Sequence, residues 1–67
     1  MDFSKEELTE AKRQIDSTLH KLRETVKTLR GKGAPERYKS QITLAEHRIQ
    51  AFEIAVQLIE EALTRLS

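Results

Sequence analysis

The apolar side chains between residues 38 and 66 recur at alternating spacings of four and three residues. This is the heptad pattern of a helix that packs one face against a partner helix, with apolar residues at the a and d positions. The row consists of Tyr38, Ile42, Ala45, Ile49, Phe52, Val56, Ile59, Leu63 and Leu66. The pattern predicts a helix over residues 35–66 with a continuous seam along one side.

A second apolar row runs beside this seam on the same predicted helix. It consists of Leu44, Ala51, Ile54, Ala55, Leu58 and Ala62. The c, g, d and a positions of this helix together cover an arc of about 160° at ~100° per residue, which is wider than the stripe that packs on one neighbouring helix. The second row therefore predicts contact with a further polypeptide.

The beginning of the chain has the signals of a helix N-terminus. Ser4 followed by Glu7 fits a capping box, and Phe3 and Leu8 are spaced for a hydrophobic staple. A heptad row of leucines and branched residues continues the helix, interrupted only by Lys12, whose stem can lie over apolar neighbours. The members of this row are Leu8, Ile15, Leu19, Leu22, Val26 and Leu29. We predict a first helix over about residues 4–30.

Gly31 to Pro35 forms the only break between the helical patterns. Gly31 suits the C′ position because glycine adopts positive φ without a steric penalty. Pro35 suits the first turn of a helix, although the second helix can start anywhere from Pro35 to Ser40. A turn over residues 31–34 makes the two helices antiparallel neighbours. The expected fold is all-α, one domain over residues 1–67, an antiparallel helical hairpin.

A hairpin of 67 residues without cysteine has few means of stabilisation other than oligomerisation. The two edges of the predicted hairpin also differ, because one edge is small and apolar and the other is charged. We therefore expect a homodimer that forms a four-helix bundle. The expected interface residues are Ala11, Leu44, Ala51, Ile54, Ala55, Leu58 and Ala62. The alternative is a marginal monomer that keeps the second row for a different protein.

The charge of the chain is nearly balanced at +1, but it is unevenly distributed. Residues 21–40 contain seven Lys and Arg against two Glu, a net charge of +5 at the predicted hairpin tip. Arg30, Lys32, Arg37 and Lys39 are candidate contacts for an anion or a nucleic acid. An acidic partner protein and the acidic termini of a second subunit are the other candidates. Only Tyr38 is available for base stacking there, which does not favour sequence-specific reading of single strands.

Catalytic and metal chemistry find little support in the sequence. His20 and His47 are predicted to point outward, without a carboxylate cluster at ligand spacing. Glu6-Glu7 and Glu60-Glu61 lie at helix ends, whereas general acid–base catalysis needs a shielded pocket. We expect no enzyme activity, no cofactor and no metal. The absence of an apolar h-region and of a long apolar run favours a cytoplasmic protein without membrane contact.

Two helical strings resemble those of short uncharacterised bacterial proteins with two helices: residues 15–21 (IDSTLHK) and residues 48–55 (RIQAFEIA). That resemblance implies a two-helix architecture and no particular activity. The layout is also similar to the Rop family of helical-hairpin dimers, which bind RNA, but a shared fold does not carry function. Rop-like binding is expected on the outer helix faces, whereas the basic excess here lies at the tip. The sequence favours a structural or protein-interaction module, with a nucleic-acid-binding dimer as the alternative.

Overall fold

Two helices make up the part of the chain that the computed structural model describes, residues 2–32 and 35–66. Helix α1 spans Lys5–Arg30 and helix α2 spans Pro35–Leu66. They pack on each other as a rod of 47 × 15 × 15 Å. The long dimension is that of α2 itself, at about 1.5 Å per residue. The predicted all-α helical hairpin is confirmed.

Helix α1 begins at the predicted capping box. The Glu7 backbone N–H donates to Ser4 Oγ at 3.1 Å, and the Ser4 backbone N–H donates to Glu7 Oε1 at 2.9 Å. The first intrahelical bond then runs from the Leu8 N–H to the Ser4 carbonyl at 3.0 Å. These bonds satisfy backbone groups that a helix start leaves unpaired, so this boundary is set by four consecutive residues.

The end of α1 differs from the prediction at Gly31. Its φ of −77° and ψ of −7° are right-handed, so the expected positive φ is wrong. The Gly31 N–H donates to the Lys27 carbonyl at 3.1 Å, and the Lys32 N–H donates to the Leu29 carbonyl at 3.3 Å. The helical hydrogen bonds thus continue past Arg30, and no left-handed residue is needed at position 31. Residues 33 and 34 of the predicted turn lie outside the described residues.

Gly31→Ala should therefore stabilise the protein. The backbone dihedral angles of Gly31 are ones that any L-residue adopts. An added Cβ would lie 3.4 Å from the Lys27 carbonyl oxygen and 3.6 Å from that of Thr28. Alanine restricts the unfolded chain, which should raise the free energy of unfolding by about 0.4–1 kcal/mol. Thermal denaturation followed by circular dichroism measures the change. A lower melting temperature would show that position 31 requires glycine.

The most buried side chains lie in the half of the hairpin nearer the turn. Leu19 is the most buried at 4 % exposure. A compact cluster of Val26, Ile42 and Ala45 is covered by half-buried neighbours, which are Leu22, Leu29, Tyr38 and Ile49. All of these are a or d positions of the predicted heptads, so the seam forms where the sequence places it.

The half of the seam nearer the chain termini is less well covered. Its a and d residues are only half-buried, and Leu66 at the end of α2 is exposed. Lys12 occupies a seam position there, with its Nζ 3.1 Å from Asp16 Oδ2. Its stem is half-buried while its charge is held at the edge, as expected for a lysine at an a position. Two helices alone thus leave this half of the hairpin partly open to water.

Candidate functional site

An exposed apolar face on α2 is the main unpaired surface of the described hairpin. Leu44, Ile54 and Leu58 are 51 %, 55 % and 59 % exposed. Ala51 is exposed between them, and Ala55 and Ala62 are half-buried at the boundary with α1. Heptad spacing places these residues on one side of α2, away from the seam. We call this set, Leu44, Ala51, Ile54, Ala55, Leu58 and Ala62, the α2 face.

Helix α1 contributes a small, weakly polar edge next to the α2 face. Ala11 is half-buried there. Thr18 and Thr25 follow it at heptad spacing, and their hydroxyls donate to the carbonyls of Gln14 and Lys21 at 3.1 and 2.9 Å. Because these donors are used within α1, the edge can be covered without leaving its hydroxyl donors unpaired. All seven residues of the predicted interface, Ala11 and the α2 face, therefore lie on one side of the hairpin.

Phe3 extends this surface at the end of the hairpin that carries the termini. Its ring is more than half exposed. It borders two adjoining shallow clefts, whose apolar lining residues include Leu8, Ala11, Ile59, Ala62 and Leu66. The sequence assigned Phe3 only to a helix staple, so its place beside the predicted interface residues was missed. An apolar residue before the N-cap, level with the apolar end of α2, is the signal that could have revealed it.

The opposite edge of the hairpin is closed by ion pairs between the helices. Arg23 Nη2 donates to Glu53 Oε2 at 2.7 Å, and Arg30 Nη2 donates to Glu46 Oε2. The side chains are about half exposed, so each pair adds at most about 1 kcal/mol. Their main effect is to make the two sides different: one side is polar and internally paired, and the other is apolar.

The same seven-residue spacing predicts that two acidic residues face each other at the next heptad position along this edge. One heptad beyond Arg23–Glu53, the spacing predicts that Asp16 lies across from Glu60, and Asp16 is already bound on its own helix by Lys12 Nζ at 3.1 Å. Glu60→Arg should replace the repulsion between two acids with an attraction across the helices, which should raise the free energy of unfolding by about 0.5 kcal/mol. Urea denaturation measures it. Repeating the change in an Asp16→Ala background should remove the part of the gain that is due to the ion pair. An equal gain in the free energy of unfolding in that background would show that positions 16 and 60 do not interact.

At the tip, three of the four candidate anion contacts already have partners within the chain. Arg30 is paired with Glu46. Lys32 Nζ and Arg37 Cζ lie 5.5 and 5.9 Å from the centroid of the Tyr38 ring, within cation–π range. Arg37, whose charge is unfavourable at the start of α2, thus has an intramolecular partner in Tyr38. Lys39 is exposed beside a shallow depression that Arg30 and Glu46 also line.

The candidate chemical groups do not converge on a shielded site. His20 and His47 are both exposed, and within residues 2–32 and 35–66 no group of three or more metal-binding side chains could hold an ion. The Glu7 carboxylate is used by the N-cap. Hydrogen bonds from Arg13 and Gln14 lower the pKa of Glu10, but this carboxylate lies on the open surface of α1. Its ionised form is held by neighbours on the same helix.

Comparisons with protein-family models, curated proteins and solved structures find no match to this chain. The resemblances to two-helix bacterial proteins and to the layout of Rop therefore stay predictions. Neither described helix contains a stretch apolar enough to cross a lipid bilayer.

Proposed function

We propose that this protein is a small self-associating helical module that acts as a structural or protein-interaction unit. The observation that carries the proposal is the α2 face, in which Leu44, Ile54 and Leu58 are each more than half exposed in the single chain. Contiguous apolar surface on a small protein marks a site of association. The proposal assigns this surface to a second copy of the chain, with Ala11 at its edge.

The expected gain from covering the α2 face is large for so small a protein. Burying a whole Leu or Ile side chain contributes about 1.5–3 kcal/mol, so the exposed half of each contributes about 1 kcal/mol. Leu44, Ile54 and Leu58 from two subunits then contribute about 6 kcal/mol. This is comparable with the whole stability of many small domains, about 5 kcal/mol at the lower end. Association also costs translational and rotational freedom, so this burial is the gross gain from which that cost is subtracted.

The position of the face along the rod supports the same proposal. Five of its six residues, from Ala51 to Ala62, lie in the half of α2 nearer the termini. That is the half in which the seam is only half-buried. A second hairpin on this side would cover both the α2 face and the open flank of the seam. The charged edge with Arg23–Glu53 and Arg30–Glu46 stays in water on the other side.

Sedimentation equilibrium tests the proposal directly. At concentrations on the order of tens of micromolar, we expect the mass of a dimer, and a melting temperature that rises with protein concentration because association stabilises the folded chain. A 7.8 kDa monomer throughout that range, with a melting temperature independent of concentration, would contradict self-association.

A second candidate function is nucleic-acid binding by the tip. It is favoured by the net charge of +5 over residues 21–40 and by the exposure of Lys32, Arg37 and Lys39. The Arg30–Glu46 pair and the contacts of Lys32 and Arg37 with Tyr38 reduce the charge that is free to bind phosphate. A gel shift with generic RNA and DNA should show binding that weakens steeply with salt if this function is present. The absence of a shift at low salt would discard it.

A further inference from the structure

We infer that two copies of the chain pack α2 against α2 in antiparallel orientation, with the turn of each hairpin beside the termini of the other. This inference rests on the proposed self-association and adds the identity of the contacting helices and their direction. Two features of the hairpin carry it: the apolar surface belongs almost entirely to α2, and the charge is opposite at the two ends of the rod.

The choice of helices follows from where the apolar side chains lie. On the associating side, α2 offers Leu44, Ile54 and Leu58, whereas α1 offers only Ala11 as an apolar residue beside its threonines. The next positions of α1 outward from this edge are Glu7, Gln14 and Lys21. Packing α2 on the partner's α1 would set leucines against these polar side chains. Packing α2 on the partner's α2 sets apolar surface against apolar surface.

The direction follows from charge. Residues 21–47, the half with the turn, contain seven Lys and Arg against three Glu, a net charge of +4. Residues 1–20 and 48–67, the half with the termini, contain five Lys and Arg against eight Asp and Glu, a net charge of −3. Parallel packing would place the two basic halves side by side. Antiparallel packing places each basic half beside an acidic one, with the axes of the two contacting helices about 10 Å apart, a distance comparable with the Debye length at physiological salt.

The pattern of side-chain sizes agrees with this direction. The α2 face is centred near residues 53–54, so a two-fold axis there would bring Leu44 level with the partner's Ala62. Ala51 and Ala55 would flank the axis and allow close approach of the two helices. Parallel packing would instead align Leu44 with the partner's Leu44 and Leu58 with the partner's Leu58, which crowds the two layers that hold these leucines. Large side chains opposite small ones fill an interface more evenly.

Distances between spin labels distinguish the two directions. The chain contains no cysteine, so a single introduced cysteine labels one position. Labels at Ser40→Cys should be about 40 Å apart in the antiparallel dimer, at ~1.5 Å per residue along α2, and within about 20 Å in a parallel one. Gln50→Cys, which is level with the middle of the face along the rod but lies on its flank, should give a short distance in either dimer and reports association itself. Ser40 and Gln50 are both exposed, so labelling leaves the seam intact.

Each outcome has a definite meaning. A long distance at position 40 with a short one at position 50 supports the inference. Short distances at both positions overturn the antiparallel direction while self-association stands. No coupling at either position, together with a monomer in sedimentation, overturns both the inference and the proposed function.

Discussion

Leu58→Lys should reduce the affinity of the dimer about 100-fold while leaving the hairpin itself nearly unchanged. Leu58 is 59 % exposed in the single chain, so the substitution removes few contacts within the hairpin. In the dimer it removes about 1 kcal/mol of apolar burial from each subunit and places two ammonium groups at the interface. A total of about 3 kcal/mol corresponds to the expected loss of affinity. Sedimentation equilibrium gives the dissociation constant, and circular dichroism gives the helix content.

Gln57→Lys is the matched control for this experiment. It adds the same charge one position earlier, to a side chain that is exposed and points away from the α2 face. We expect it to associate like the original chain, because it changes the net charge without entering the interface. If Leu58→Lys loses helix content and association together while Gln57→Lys keeps both, the single hairpin is not stable alone, and folding is coupled to dimerisation. Equal affinities for Leu58→Lys and Gln57→Lys would show that the α2 face is not the interface.

Leu19→Ala should have the largest effect on folding, a loss of about 2–4 kcal/mol in the free energy of unfolding. Leu19 is the most buried residue of the described chain at 4 % exposure. Removing most of its side chain costs the transfer free energy of the deleted atoms and leaves a cavity between two helices that can close only in part. For a domain of this size, such a loss approaches the total stability. Urea denaturation at fixed protein concentration measures it.

Leu44→Ala deletes the same atoms from a half-exposed position and serves as the comparison. Its effect within one hairpin should be about 1 kcal/mol or less, because water already covers half of Leu44. Any further loss should depend on protein concentration, since Leu44 belongs to the proposed interface. Similar losses at positions 19 and 44, independent of concentration, would contradict a core organised around Leu19.

Local patterns in the sequence were sufficient to predict the two helices. The N-cap of α1 depends on four consecutive residues, Ser4 to Glu7, whose bonds form without help from the rest of the chain. The a and d positions of both helices predict which sides face each other, because heptad spacing fixes the angle of each side chain around the helix. The difference in composition between the two edges likewise predicted a small apolar side and a charged side, and the charged side is the one on which Arg23 and Glu53 pair.

Features that depend on the offset between the helices could not be predicted in the same way. The pairs Arg23–Glu53 and Arg30–Glu46 require a particular axial alignment, which repeats every seven residues in the sequence and is chosen only by the packing of the whole seam. The approach of Lys32 and Arg37 to Tyr38 depends on how the chain turns between the helices. The right-handed Gly31 was misjudged because glycine permits a left-handed cap without requiring one.

The sequence by itself determined that this protein is two amphipathic helices with more apolar surface than one seam can cover. Only the tertiary structure decided where that surface remains open. Burial is concentrated around Leu19 and Val26 in the half nearer the turn, while Ile54 and Leu58 stay exposed in the half nearer the termini. The physical reason is that periodicity fixes the direction of each side chain around its own helix. How completely a neighbour covers that side chain depends on the size, charge and alignment of residues far away in the chain.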